Sequence, residues 1–179
     1  MIYKKGWGPQ EIEFTFESPS PKDLYFLQAR DMVVRERTEA FSFDFSQISE
    51  DRYLAHGLGA GGGAMTGRAV FSLEDIDSWR RSEPDTHLIL IRSDTVPDDI
   101  REIHAADGLL TGRGGVSSHA AVVAYRLGKT CVVGCDALTC YEKEKECRLN
   151  QNLIRSGDFI SIDGREGSIY KGLIPVMEK

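Results

Sequence analysis

The sequence predicts an α/β fold with parallel strand pairing, and three observations carry that reading. Short apolar runs at 87–92, 107–111 and 129–133 have the length and composition of buried strands. Helix signals stand between them: Thr95 followed by a proline and acids, then serines at 117 and 118 ahead of an alanine- and valine-rich stretch that stops at Gly128. Strand and helix alternate in the order that βαβ units require.

The remaining elements follow in order. Residues 11–17 alternate as a strand, with Ile12, Phe14 and Phe16 on one face; 18–23 read as a turn and 24–30 as a second strand. One isolated hairpin is marginal, so this one needs a sheet to join. Residues 31–56 have no strong periodicity and read as a linker, although Phe41, Phe43 and Phe45 alternate as a short strand would. The glycine run 57–63 is not a Walker A loop, because Gly67-Arg68-Ala69 stands where Gly-Lys-Ser/Thr is needed. It reads as a flexible turn before a strand at 66–71. Ser72 caps a short helix that carries acids in its first turn. Residues 136–152 are polar and charged and read as a surface excursion, and 157–171 close the chain as a hairpin turning at 164–167.

Composition bounds the function. The 179 residues are 41% apolar and 28% charged, ordinary for a globular chain. A net charge of −6 with no basic run argues against nucleic acid as a partner. No apolar run reaches a membrane span and the first residues lack a signal peptide's apolar region, so no membrane partner and a cytoplasmic location are expected. Cys131, Cys135, Cys140 and Cys147 are not spaced as paired CxxC knuckles and are expected to be reduced thiols.

The chemistry concentrates at 111–126. Gly112, Gly114 and Gly115 turn the backbone between a strand end and a helix start. Ser117 or Ser118 caps the helix, and His119 stands in its first turn. Unpaired N–H groups and the positive end of the helix dipole hold a phosphate well there. A histidine nucleophile at a place that welcomes anions suits a phosphohistidine carrier. His56, His87 and His104 lie in the linker, at a strand start and near a helix end, where ordinary structural roles suffice.

Residues 114–124, Gly-Gly-Val-Ser-Ser-His-Ala-Ala-Val-Val-Ala, closely resemble the phosphohistidine signature of the phosphoenolpyruvate-utilising enzymes. The flanks 104–111 and 128–135 extend the resemblance, which is closest to the central domain of the pyruvate phosphate dikinases and phosphoenolpyruvate synthases. It implies a swivelling β/β/α three-layer domain over 57–175, a linker at 31–56, and a hairpin at 1–30 left from the C-terminal end of an ATP-grasp nucleotide-binding domain. In that scheme His119 takes phosphate from ATP and passes it to pyruvate. Arg113 neutralises the phosphoryl group, Thr111 orients the ring, Gly114 and Gly115 admit the backbone close to it, and Ser118 caps the helix or touches phosphate. Ser117 matches a regulatory phosphorylation site of the plant dikinases. In the hairpin, Glu13 would be a magnesium ligand, with Gln28 and Arg30 facing the nucleotide phosphates. The implied cofactor is magnesium with ATP. The implied partners are an ATP-grasp domain and a phosphoenolpyruvate/pyruvate-binding barrel, in cis or in trans, and without them the chain is expected to be inactive. The alternatives are a non-catalytic regulatory or interaction module that keeps the fold, and a related phosphotransferase with another acceptor.

Overall fold

The computed structural model describes residues 10–18, 20–31, 41–44, 46, 49–96 and 99–178. They fall into two compact units, divided between Thr38 and Glu39. The first holds one antiparallel hairpin, β1 (Gln10–Phe16) against β2 (Leu24–Asp31), with a register shift between Glu13 and Phe14. The turn is closed by Glu17 N donating to Asp23 O and by the Ser18 hydroxyl donating to the Asp23 carboxylate. Phe14 and Phe16 meet edge to face and are exposed.

The second unit is built on an eight-stranded sheet. Its elements in chain order are β3 (Phe41–Phe43), β4 (Tyr53–His56), β5 (Leu58–Gly61), β6 (Ala64–Val70), α1 (Leu73–Ser82), β7 (Leu88–Arg92), α2 (Ile100–Ala105), β8 (Gly108–Thr111), α3 (His119–Arg126), β9 (Thr130–Val133), β10 (Leu138–Tyr141), β11 (Glu146–Leu149), β12 (Asn152–Arg155), β13 (Phe159–Asp163), β14 (Ser168–Lys171) and β15 (Val176–Glu178). The sheet order is β4-β14-β13-β6-β7-β8-β9-β5. The four central strands β6 to β9 run parallel, as the sequence predicts, while β13, β14, β4 and β5 pair antiparallel on the flanks.

Strand β7 shows why the sheet is central. All five of its residues are buried, and the side chains divide with period two. Leu88 and Leu90 enter a core with Ile76 of α1, Ile103 of α2 and Ala120, Ala121 and Ala124 of α3. Ile89 and Ile91 enter a core with Leu138, Cys147, Leu149 and Ile154 of the separate sheet β10-β11-β12. Each such buried Leu or Ile contributes about 1.5–3 kcal/mol, so these two cores outweigh the polar contacts at the strand ends.

Four expectations need correction. Residues 41–43 and 53–56 are not all linker: β3 pairs with β15, and β4 pairs with β14 in the main sheet. Phe43 is the reason at the first, since it packs with Ala64, Tyr170 and Ile174. The glycine run is an edge strand rather than a free turn, with β5 pairing with β9. Glycine is needed because other backbone lies so close that a Cβ on Gly59 would stand 2.4 Å from Arg165 O. The excursion 136–152 folds, with the residues just after it, into the β10-β11-β12 sheet. Helix α2 starts after Asp99, not after Thr95. Asp94 and Asp99 accept from the backbone N–H groups of Thr95 and Val96, and those local bonds compete with a helical turn. Pro97 and Asp98, read as its first turn, lie outside the described residues, as does Phe45.

Candidate functional site

The site is the loop from Thr111 to His119, at the C-terminal end of a parallel strand, where open α/β sheets place their ligands. The end of β8 feeds the loop and α3 receives it. Ser118 is the cap: its hydroxyl accepts from Ala121 N at 3.3 Å, while its own N–H donates to Gly115 O at 2.9 Å. His119 is therefore the first residue of the helix, and it is exposed. The helix ends as expected, with Gly128 at φ 69° and Lys129 N donating to Ala124 O.

Neighbouring segments hold the loop through its backbone. Gly112 N donates to Arg92 O at 3.1 Å and Arg113 N to Ser93 O at 2.9 Å. On the other side Cys135 N donates to Thr111 O at 3.0 Å. Gly134 approaches so closely that a Cβ there would stand 2.7 Å from Gly114 O. The buried Thr111 hydroxyl donates to Arg113 O at 2.6 Å, which ties strand end to loop. Gly114 has φ 94°, a conformation that a Cβ resists. A Cβ on Gly115 would meet nothing within 4 Å. Arg113, Val116 and Ser117 are exposed.

The loop thus brings together Thr111, Arg113, Gly114, Gly115, Ser117, Ser118 and His119. The hairpin unit holds the other residues named from sequence. Its register sets Glu13 opposite Gln28 and Glu11 opposite Arg30. Gln28 is exposed, and the roles read for the side chains of Glu13 and Arg30 lie outside the described residues.

Sequence reasoning missed the support beneath the loop. Arg92 ends β7 and is 8% exposed. Its guanidinium donates to Phe71 O at 2.7 Å and to Glu142 at 3.2 Å, and faces Asp99 at 3.4 Å and Glu102 at 3.9 Å. Glu142 also accepts from Ser93 N at 3.2 Å. The nearest sequence signal is the arginine that ends an otherwise apolar strand, an anomaly that calls for buried partners.

The four cysteines are free. Burial pushes the thiols of Cys131 and Cys140 up to about 12, and raises those of Cys135 and Cys147 as well. Such thiols are poor nucleophiles and pack as small apolar groups.

The loop lies within a stretch that matches a known family. The family described as PEP-utilising enzyme, mobile domain, matches residues 84–167. The chain is 43% identical over 198 residues to a pyruvate, phosphate dikinase of Rickettsia felis, an alignment covering 94% of this chain and 22% of that protein. It is 34% identical over 200 residues to the pyruvate, phosphate dikinase of Clostridium symbiosum, again covering 94% of this chain and 22% of the relative. For pyruvate, phosphate dikinase 2 of Zea mays the identity is 39% over 134 residues, covering 75% of this chain and 15% of the plant protein. The chain thus spans less than a quarter of the length of these relatives.

Proposed function

The chain belongs to the phosphoenolpyruvate-utilising enzymes, with their mobile domain at residues 84–167, and from that premise we propose that it is the phosphoryl carrier of a pyruvate phosphate dikinase-like enzyme. His119 takes a phosphoryl group from ATP bound on an ATP-grasp domain and gives it to pyruvate bound on a barrel domain. The observation that carries this reading is an exposed histidine as first residue of a capped helix, presented by a glycine loop at the end of a parallel strand.

The chemistry follows from the placement. A neutral imidazole nitrogen attacks the phosphorus in line; a P–N bond forms as the P–O bond to the nucleotide breaks. The first turn of α3 and the exposed Arg113 offset the charge on the phosphoryl oxygens. Gly115 leaves the approach open, because no side chain occupies the space beside it. Thr111 acts through the loop: its hydroxyl is bonded to Arg113 O, so it fixes Arg113 rather than the ring. In the second half-reaction the enolate oxygen of pyruvate takes the phosphoryl group and the P–N bond breaks. A phosphate on Ser117 would set a second dianion two residues from His119 and block transfer by repulsion.

The swivelling β/β/α reading fits the second unit, with helices packed on one face of the main sheet and a three-stranded sheet on the other. The hairpin unit is read as the end of an ATP-grasp domain. Magnesium bound with ATP would neutralise phosphate charge. Glu13 pairs in register with Gln28, and a carboxylate at that position of the hairpin would be the magnesium ligand in this reading.

The test mixes the chain with a family nucleotide-binding domain, magnesium and ATP, and follows intact mass. One acid-labile, base-stable phosphate is expected on the chain, absent from His119→Asn and diminished in Ser117→Asp. An acid-labile phosphate persisting in His119→Asn would overturn the assignment of the nucleophile.

A further inference from the structure

We propose that Glu142, at the turn between β10 and β11, is a positioning residue for His119, acting through the peptide group that joins Arg92 to Ser93. The proposal rests on the phosphoryl-carrier reading.

That peptide group is bonded at both ends. Its N–H, on Ser93, donates to Glu142 Oε1 at 3.2 Å, and its C=O, on Arg92, accepts from Gly112 N at 3.1 Å. The next carbonyl, Ser93 O, accepts from Arg113 N at 2.9 Å. A carboxylate pulling on the N–H polarises the peptide and strengthens the bond on its carbonyl. Glu142 therefore bears on Gly112 N through the shared peptide group, and on Arg113 N through the position it gives to Ser93. Its other oxygen pairs with Arg92 Nη1 at 3.2 Å, which fixes the side chain at the same point.

Glu142 can act as an anchor because its own turn is held. Lys145, three residues on, reaches Asp75 Oδ1 at 2.7 Å and Glu74 at 3.2 Å near the start of α1, and Ser156 N donates to Lys145 O at 2.9 Å. Of the three carboxylates around the buried Arg92 among the described residues, Glu142 comes closest, with Asp99 at 3.4 Å and Glu102 at 3.9 Å. Among the described residues, Arg92 Nε and Glu102 Oε2 are both buried with no hydrogen-bond partner. The α2 side of the cluster is thus the looser one; Phe71 O holds the Arg92 guanidinium at 2.7 Å, and Glu142 is the carboxylate that bonds both Arg92 and Ser93 N. His119 lies at the far end of a short loop whose first two N–H groups hang from that point. A displacement there is carried to the reacting nitrogen, where an ångström costs on the order of a hundredfold in rate.

The experiment compares the full chain with Glu142→Gln and Glu142→Ala. Glutamine keeps an acceptor for Ser93 N and loses the charge; alanine loses both. Two quantities are read well below the unfolding temperature: amide hydrogen exchange at Gly112 and Arg113, and the rate of His119 phosphorylation by a family nucleotide-binding domain with magnesium and ATP. In Glu142→Ala exchange at both amides should quicken and labelling should slow about tenfold or more at saturating nucleotide-binding domain, with half-saturation unchanged and Glu142→Gln intermediate. A residue that merely stabilised the fold would lower the melting temperature and leave that rate alone. Unchanged exchange in Glu142→Ala, or variants labelled at the wild-type rate, would overturn this proposal alone. A wild type that takes no label on His119 would overturn the carrier reading and this proposal with it.

Discussion

Gly114 and Gly115 are neighbours with opposite requirements. Gly114, at φ 94°, needs the absence of a Cβ for its backbone; Gly115 has open space where a Cβ would stand. Gly114→Ala is therefore expected to cost about 1–2 kcal/mol or more in stability, and Gly115→Ala to stay within about 0.5 kcal/mol. Urea denaturation checks the pair; equal losses would contradict the distinction. Sequence made the chemistry of this loop legible because it is local: the glycines, the serine cap and His119 lie within eight positions. Thr111 was legible as a strand end, but not as the residue whose hydroxyl holds Arg113 O. Arg92 and Glu142 were invisible as a pair, since fifty positions separate them and only the fold brings them together.

At the scale of elements, the starts of the parallel strands form a polar cluster opposite the functional end. Arg80 of α1 pairs with Asp107 at 2.6 Å, and Leu88 N donates to the same carboxylate oxygen at 2.8 Å. Burial works to raise the Asp107 carboxyl, yet the bonds from His87, Leu88 N and Arg80 prevail and hold it at about 2, below its ordinary 3.8. The same contact raises His87 above 6.5, against its partial burial. The signs are opposite. Asp107 lends stability that is present above 3.8 and lost as pH falls towards 2. His87 lends stability that is present below 6.5 and lost as pH rises through its raised value. Asp107→Asn should flatten both limbs of the stability–pH curve. Denaturation midpoints measured from acid to mildly alkaline pH check this; an unaltered acid limb would contradict it.

Elements with their own punctuation were legible, and those without it were not. Helix α3 has a serine cap and a glycine stop, and the closing hairpin turns on Gly164 and Gly167. The β10-β11-β12 sheet has no glycine at its turns. Lys145 and Asn150 take φ 54° there instead. Tertiary contacts offset that strain: Lys145 with Asp75, and Asn150 donating to Leu54 O at 2.7 Å. Cys147 and Leu149 are then buried from within a stretch whose charged residues made it read as surface.

The whole molecule comprises two compact units of unequal size, and the larger contains the histidine loop with all its supports. Family relatives are several times longer, the chain matching 22% of the length of two of them; in the function proposed above, its share of the reaction is to carry a group between sites built by other domains. A carrier must do more than accept a phosphoryl group: it must release that group to a second substrate. The measurement that tests this most directly is a chase. The chain is labelled on His119, freed of nucleotide, and offered pyruvate with a family barrel domain. Label is expected to leave the chain in one turnover and to appear as phosphoenolpyruvate, with none transferred in His119→Asn, which takes up no label to pass on. Label that leaves only as inorganic phosphate, at the same rate with and without the barrel domain, would contradict the carrier role.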